Sequence, residues 1–385
     1  MSTRKLYYED PYLTEFSATV LTCEKADNGW WVTLDATAFY PEGGGQSWDT
    51  GTLGQTNILQ VQEKEGRICH LCDDPLEIGA VVSGRVDMPP RFDQMQQHTA
   101  EHILSGLVYD AFGYQNSGFH MGKDVMEVDF DGIIPPEALP ALEEKANRAI
   151  WENLPVSCAI PSPEGLAALT YRTKRPLPWP VRIVEIPGYD SCACCGLHVA
   201  RTGEIGFIKI LSCVKLRGGV RMEVVSGERA YRYMCAIWEQ NRAVSQCLSA
   251  HMTQTGEAAQ VLKDSLAAEK FRSNGLQEQL FKETAKHYTG KENVLLFSQN
   301  LTPSALRSLA DAVAKECTGI AAVFSQNGDS WAYALVSNTR EVASLGKEMA
   351  TALSCRGGGK PNAQQGTVQA SKEALTTFFQ NTNLF

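Results

Sequence analysis

Two short motifs lie far apart in this chain of 385 residues: His98-Thr99-Ala100-Glu101-His102 and Cys194-Cys195-Gly196-Leu197-His198. If their donors share one ion, any fold must bring these distant segments to a single point. On a helix, residues four apart sit on one face, about 6 Å apart along the axis, so His98 and His102 can grip the same metal. In the second motif the glycine points to a tight turn. Together His98, His102, Cys194 and His198 offer three imidazole nitrogens and one thiolate, a donor set that suits Zn2+. A zinc protease would carry a glutamate directly after the first histidine. Thr99 stands there instead, and Glu101 precedes His102. That reading is disfavoured, although Glu101 remains close enough to act as an outer partner of the metal or as a base.

Other clusters compete for chemistry. Cys69-His70-Leu71-Cys72 with Cys192 is a second thiolate set, but Cys192, Cys194 and Cys195 are too crowded for a zinc knuckle. Arg356-Gly357-Gly358-Gly359-Lys360 invites a phosphate-loop reading that fails, because Ser354 takes the first glycine position and Pro361 follows the lysine. Twelve cysteines in a chain without an N-terminal apolar run read as metal ligands or core thiols. The expected compartment is the cytoplasm, with no membrane span. A net charge of −9 argues against coating the whole surface with nucleic acid. Two local basic sets remain: Tyr171-Arg172-Thr173-Lys174-Arg175 with Arg182, and Lys209, Lys215, Arg217 and Arg221.

The periodicity predicts an α+β chain. Residues 1–90 are β-rich, with alternating strands near 29–35 and 80–87. Residues 91–227 form a mixed metal-binding core, with a helix starting near Asp93 and another over 136–153. Residues 228–290 turn helical, where Met234, Ile237, Asn241, Val244 and Leu248 follow a heptad-like seam. Leu262, Leu266, Leu276 and Leu280 resume it beyond Gly256. This predicts a helical hairpin or a dimerising coil, with ordinary packing of two helices as the alternative. Residues 291–385 alternate strand and helix as a small α/β domain.

Several motifs then arrive in an order that resembles AlaX-type alanyl-tRNA editing proteins in their long form, relatives of the editing half of alanyl-tRNA synthetase. Phe39-Tyr40-Pro41-Glu42-Gly43-Gly44-Gly45-Gln46 resembles the glycine-rich signature of the β-barrel before the editing core. The two metal motifs, Thr202-Gly203-Glu204-Ile205-Gly206, and Gly219-Val220-Arg221-Met222-Glu223 resemble successive parts of that core. Arg356 to Pro361, continuing to Gly366, resembles the glycine loop of the synthetase's DHH-associated C-terminal domain. Cys195 and Leu197 depart from the family's usual glycine and threonine; the three-residue gap to His198 favours Cys194 as the ligand.

The resemblance implies an N-terminal barrel-like domain (1–90), a zinc-binding editing core (91–227), a helical segment (228–290) and the C-terminal domain (291–385). It implies an aminoacyl-tRNA deacylase that removes serine, and potentially glycine, from tRNA(Ala), editing in trans without charging. Zn2+ would be held by His98, His102, Cys194 and His198. Thr99 and His120 would form the substrate pocket, His120 as a catalytic candidate, and Arg221 would contact the tRNA. A homodimer through the helical or C-terminal segment fits the pattern. A tRNA-binding module with a purely structural zinc is the alternative.

Overall fold

The computed structural model describes residues 2–173, 177–328 and 330–382, so Lys174 and Arg175 of the first basic run lie outside the described residues. The fold is mixed α+β, as the periodicity predicts, and divides into two compact units, Met1–Arg242 and Ala243–Phe385.

The N-terminal part of the first unit carries six strands that share one sheet: β1 (Glu15–Ala26), β2 (Gly29–Leu34), β3 (Gly51–Leu53), β4 (Thr56–Lys64), β5 (Arg67–Cys72) and β6 (Val81–Val86). They close into a barrel in the order β1-β2-β5-β4-β3-β6. Alternation sends Val20, Val32, Leu34, Val61 and Ile68 into its interior, each worth about 1.5–3 kcal/mol when fully buried. The same alternation puts His70 inside the barrel between the Val32 carbonyl (3.1 Å) and the Thr37 hydroxyl (2.9 Å), where burial pushes its pKa down to about 4. Cys69 and Cys72 fall on opposite faces of β5, and the competing thiolate set does not assemble among the described residues.

Helix α1 runs Met88–Phe112, five residues earlier than the sequence reading placed its start. Pro89 and Pro90 fall in its first turn instead of ending the preceding segment, because the first turn has no need of their missing N–H groups. Gly113, at φ 72°, ends the helix in the left-handed conformation. Met95, Ile103, Leu104 and Val108 bury against a sheet of β7 (Asn116–Met121), β8 (Met126–Phe130), β12 (Ile208–Leu216) and β13 (Gly219–Ser226), ordered β12-β13-β8-β7. Helix α2 (Leu139–Glu152) packs into the same core through Leu142, Ala146 and Ile150. A three-stranded antiparallel sheet, β9 (Ser157–Ala159), β10 (Ile183–Ile186) and β11 (Asp190–Ala193), delivers the second metal motif.

Helices α3 (Gly227–Leu248) and α4 (Thr255–Lys286) follow. The seam is interrupted over residues 249–254, and Gly256 sits in the first turn of α4. Met234, Ile237 and Val244 are exposed, as are Leu262, Leu266, Leu276 and Leu280. The second unit is built on the sheet β14 (Val294–Gln299), β15 (Ile320–Asn327), β16 (Ser330–Ser337), β18 (Ala363–Val368) and β17 (Arg356–Lys360), in that order. Helix α5 (Pro303–Glu316) covers one face through Leu306, Leu309 and Val313. Helices α6 (Ala343–Leu353) and α7 (Lys372–Asn381) cover the other through Leu345, Met349, Leu375 and Phe379. The glycine run Arg356 to Lys360 is the exposed edge strand β17, not a phosphate loop. Among the described residues, no helix is long and apolar enough to cross a membrane.

Candidate metal centre

Helix α1 carries His98 and His102 on one buried face, and the turn after β11 carries Cys194 and His198 to meet them. One ligand atom from each of the four lies within 4.8 Å of every other. Cys194 Sγ is 3.4 Å from His98 Nε2, and the His198 ring centroid is 4.5 Å from that of His98 and 4.8 Å from that of His102. A side chain at position 196 would collide with the His98 ring, so the turn needs its glycine. Cys195 is exposed and outside the cluster, its carbonyl accepting a hydrogen bond from Tyr8 Oη at 2.8 Å. Arg182 donates to the carbonyls of Cys194 and Gly196, both at 2.9 Å, which fixes the turn from outside.

Each imidazole is oriented through its other nitrogen. His102 Nδ1 donates to Asp190 Oδ2 at 2.8 Å, and Arg172 grips the same carboxylate twice, at 2.7 and 2.8 Å. His98 Nδ1 lies 3.4 Å from Gln46 Oε1, which also accepts from the Leu197 amide at 3.0 Å. His198 Nδ1 lies 3.5 Å from the Thr99 hydroxyl. These contacts leave the Nε2 atoms for the shared point, the arrangement that outer partners of metal-bound histidines impose. His198 Nε2 is buried and without a partner, as an open ligand atom would be.

Electrostatics favour the ligating form of two of these donors, Cys194 and His198. Burial opposes ionisation of Cys194, but His98, His102 and His198 outweigh it and hold the thiol well below its ordinary pKa. Burial together with the neighbouring His98 pushes His198 well down, keeping it neutral. Cys192 differs, since burial raises its pKa to about 11 and keeps it a thiol. His102, Asp190 and Cys192 also lie close together, but Asp190 is committed to Arg172 and His102. The donor chemistry and the unpartnered Nε2 fit a zinc ion at the His98, His102, Cys194 and His198 cluster.

Replacing Asp190 with asparagine should lower zinc affinity about 10–100-fold, the range for losing an outer partner of a metal ligand. Competition against a chromophoric chelator measures it, and unchanged affinity would show that His102 needs no help in holding its ring.

A cavity of about 460 Å3 opens onto the cluster, walled in part by Gly45, His98, His102, Phe119 and Cys194. Its polar lining includes Glu101, Gln115, Asn116, Arg172 and Thr173. Gly45 is required by close approach, because a Cβ there would come within 2.7 Å of the Phe119 ring. Thr99 is fully buried behind the cluster and does not line the cavity. Its hydroxyl donates to the Met95 carbonyl at 2.7 Å and accepts from the Val199 amide at 3.2 Å. His120 is exposed on β7, and the strand turns Phe119, not His120, against His98, with ring centroids 5.2 Å apart. Arg221 is paired with Asp129 at 2.7 Å and Glu127 at 2.8 Å, so its charge is offset within the sheet.

The structure therefore assembles the four metal candidates but does not bring Thr99, His120 and Arg221 to the cavity wall. Sequence reasoning missed Asp190, Arg172 and Asn116 as members of the site. Gln46 carried a signal as the last residue of the glycine-rich motif.

Comparison with known proteins agrees with the order of the motifs. Residues 181–228 match the family described as threonyl and alanyl tRNA synthetase second additional domain. Residues 10–89 match the class II (A) tRNA synthetases. The chain is 31% identical over 392 residues to an alanine–tRNA ligase of Thermofilum pendens, covering 96% of this chain and 43% of that protein. It is 30% identical over 374 residues to the alanine–tRNA ligase of Ignicoccus hospitalis, 94% of this chain and 40% of that one. Against the alanyl-tRNA editing protein Aarsd1 of Mus musculus it is 27% identical over 388 residues, covering 94% of this chain and 93% of the relative. The chain thus spans less than half the length of these ligases and nearly all of the editing protein. The resemblance to AlaX-type alanyl-tRNA editing proteins is borne out, and the chain is a relative of both the editing proteins and the corresponding part of alanyl-tRNA synthetase.

Proposed function

We propose that the chain is an aminoacyl-tRNA deacylase that hydrolyses the ester joining serine to tRNA(Ala), with glycine as a second substrate to be tested. The observation that carries this reading is the buried cluster of three histidines and a cysteine at the wall of a cavity of about 460 Å3. The similarity to a protein named for alanyl-tRNA editing supports an aminoacyl-tRNA as the substrate class.

A separate editing site has a physical reason. A pocket sized for alanine rejects one added hydroxyl poorly, whereas a site that bonds that hydroxyl leaves buried polar groups unpaired with the wrong substrate. His98, His102, Cys194 and His198 would hold Zn2+, which when bound supplies a Lewis-acid anchor for the aminoacyl group. Phe119 and Gly45 narrow the cavity around that group and exclude water from its apolar side. Glu101, a buried carboxylate on the face of α1 that carries the histidines, offers a counter-charge to the α-ammonium of the aminoacyl ester. Thr99 acts as a positioning residue through His198. His120, exposed on β7, is suited to the tRNA outside the cavity.

The deciding experiment compares deacylation of Ser-tRNA(Ala) and Ala-tRNA(Ala) by the full chain, with and without a chelator. Fast, metal-dependent loss of serine with alanine spared supports the reading. A second reading is a tRNA-binding module whose zinc is structural, favoured by the four-donor set, which closes a tetrahedral site. Its signature is a folded, zinc-loaded chain that binds tRNA and deacylates nothing.

A further inference from the structure

Five buried side-chain atoms lack a hydrogen-bond partner among the described residues, and only Asn116 Oδ1 belongs to a residue lining the cavity. Asn116 opens β7 and is 6% exposed. The β7–β8 register shifts beside it, since Asp129 faces Gly118 but Phe130 faces Asn116, and such an irregularity re-aims a side chain. Asn116 Nδ2 donates to Glu101 Oε1, which also accepts from the Ser105 hydroxyl. That carboxylate fixes the amide, because reversing it would set oxygen against oxygen. The acceptor is thereby held in place without a partner, at a cost of about 1–3 kcal/mol for a buried unsatisfied group.

We propose that Asn116 Oδ1 accepts the side-chain hydroxyl of a bound seryl group and is the residue that separates serine from alanine. The assignment rests on the reading of the cavity as an aminoacyl pocket. A neutral carbonyl suits a neutral hydroxyl, and Glu101 beside it remains for the α-ammonium. With alanine the acceptor is covered and unpaired, so the penalty falls on the correct product of charging.

The test is binding of L-serinamide, L-alaninamide and O-methyl-L-serinamide to the zinc-loaded full chain, measured by calorimetry, alongside deacylation of Ser-tRNA(Ala). Wild type should prefer serinamide to alaninamide roughly 10-fold or more. O-methylserinamide, which keeps the oxygen but cannot donate, should bind no better than alaninamide. Asn116→Ala should bring serinamide and alaninamide to within about 2-fold, with zinc content unchanged. Ser105→Ala, which removes the other donor to Glu101, should leave the preference intact.

Equal binding of the two amides by wild type, or a preference that survives Asn116→Ala or O-methylation, overturns the assignment. If Asn116→Ala does not fold, the O-methyl comparison on wild type decides. Selective deacylation without an amide preference removes Asn116 and leaves the function standing. An Asn116-dependent preference without deacylation does the reverse.

Discussion

Replacing Arg91 with alanine should cost the first unit about 3–5 kcal/mol, the loss expected when one partner of a buried ion pair is removed. Arg91 lies in the first turn of α1 and is fully buried. Its guanidinium donates to Asp49 through Nε, at 3.1 Å to each oxygen, and again through Nη2. It also donates to the carbonyls of Pro11 and Leu13, both at 3.2 Å, and to that of Ala38. Asp49 in turn accepts from the Tyr40 amide at 2.6 Å, at the start of the glycine-rich run. One side chain therefore ties the helix that carries His98 to the segment that carries Gln46. Alanine would leave Asp49 buried without its guanidinium, and three carbonyls short of a donor. Urea unfolding followed by far-ultraviolet circular dichroism measures the loss. The double variant Arg91→Met with Asp49→Leu should recover much of it, because no charge is then left stranded. A single-variant loss below about 1 kcal/mol, in the range of an exposed pair, would show that the pair contributes little.

The second large effect is on the metal. Cys194→Ala should lower zinc affinity by more than the roughly 10–100-fold expected for an outer partner, because it removes a ligand and the only thiolate of the cluster. Deacylation of Ser-tRNA(Ala) should fall in parallel, and added zinc should not restore it at stoichiometric levels. Cys195→Ala should change zinc affinity by no more than about 2-fold, less than even an outer-partner loss, since that side chain is exposed and outside the cluster. The paired variants separate the two adjacent thiols by metal content alone, before any activity is measured. If Cys195→Ala loses zinc and Cys194→Ala keeps it, the ligand assignment is reversed.

What the sequence determined is local and chemical. A four-residue spacing on a helix places His98 and His102 on one face whatever surrounds them. Donor type points to a metal-ligand set, and the order of the motifs gives the resemblance to alanyl-tRNA editing proteins. Alternation marks two of the six barrel strands to within a residue, at 29–34 and 81–86. The tertiary structure decided everything that depends on where a side chain's second partner comes from. Asp190 and Gln46 orient the histidines from 88 and 52 residues away, and no spacing rule encodes such a contact. Thr99 beside the metal pair reads as a substrate contact, yet in the packed helix its hydroxyl is taken by the Met95 carbonyl and the Val199 amide. His120 reads as a pocket residue, but strand parity around an irregular β7 turns Phe119 inward instead. Arg221 reads as a free cation, whereas its cross-strand neighbours are carboxylates. Periodicity fixes which face a residue occupies along its own element. Only packing fixes what that face meets, because hydrogen bonds and ion pairs at a buried site are completed by chain segments that share no sequence neighbourhood.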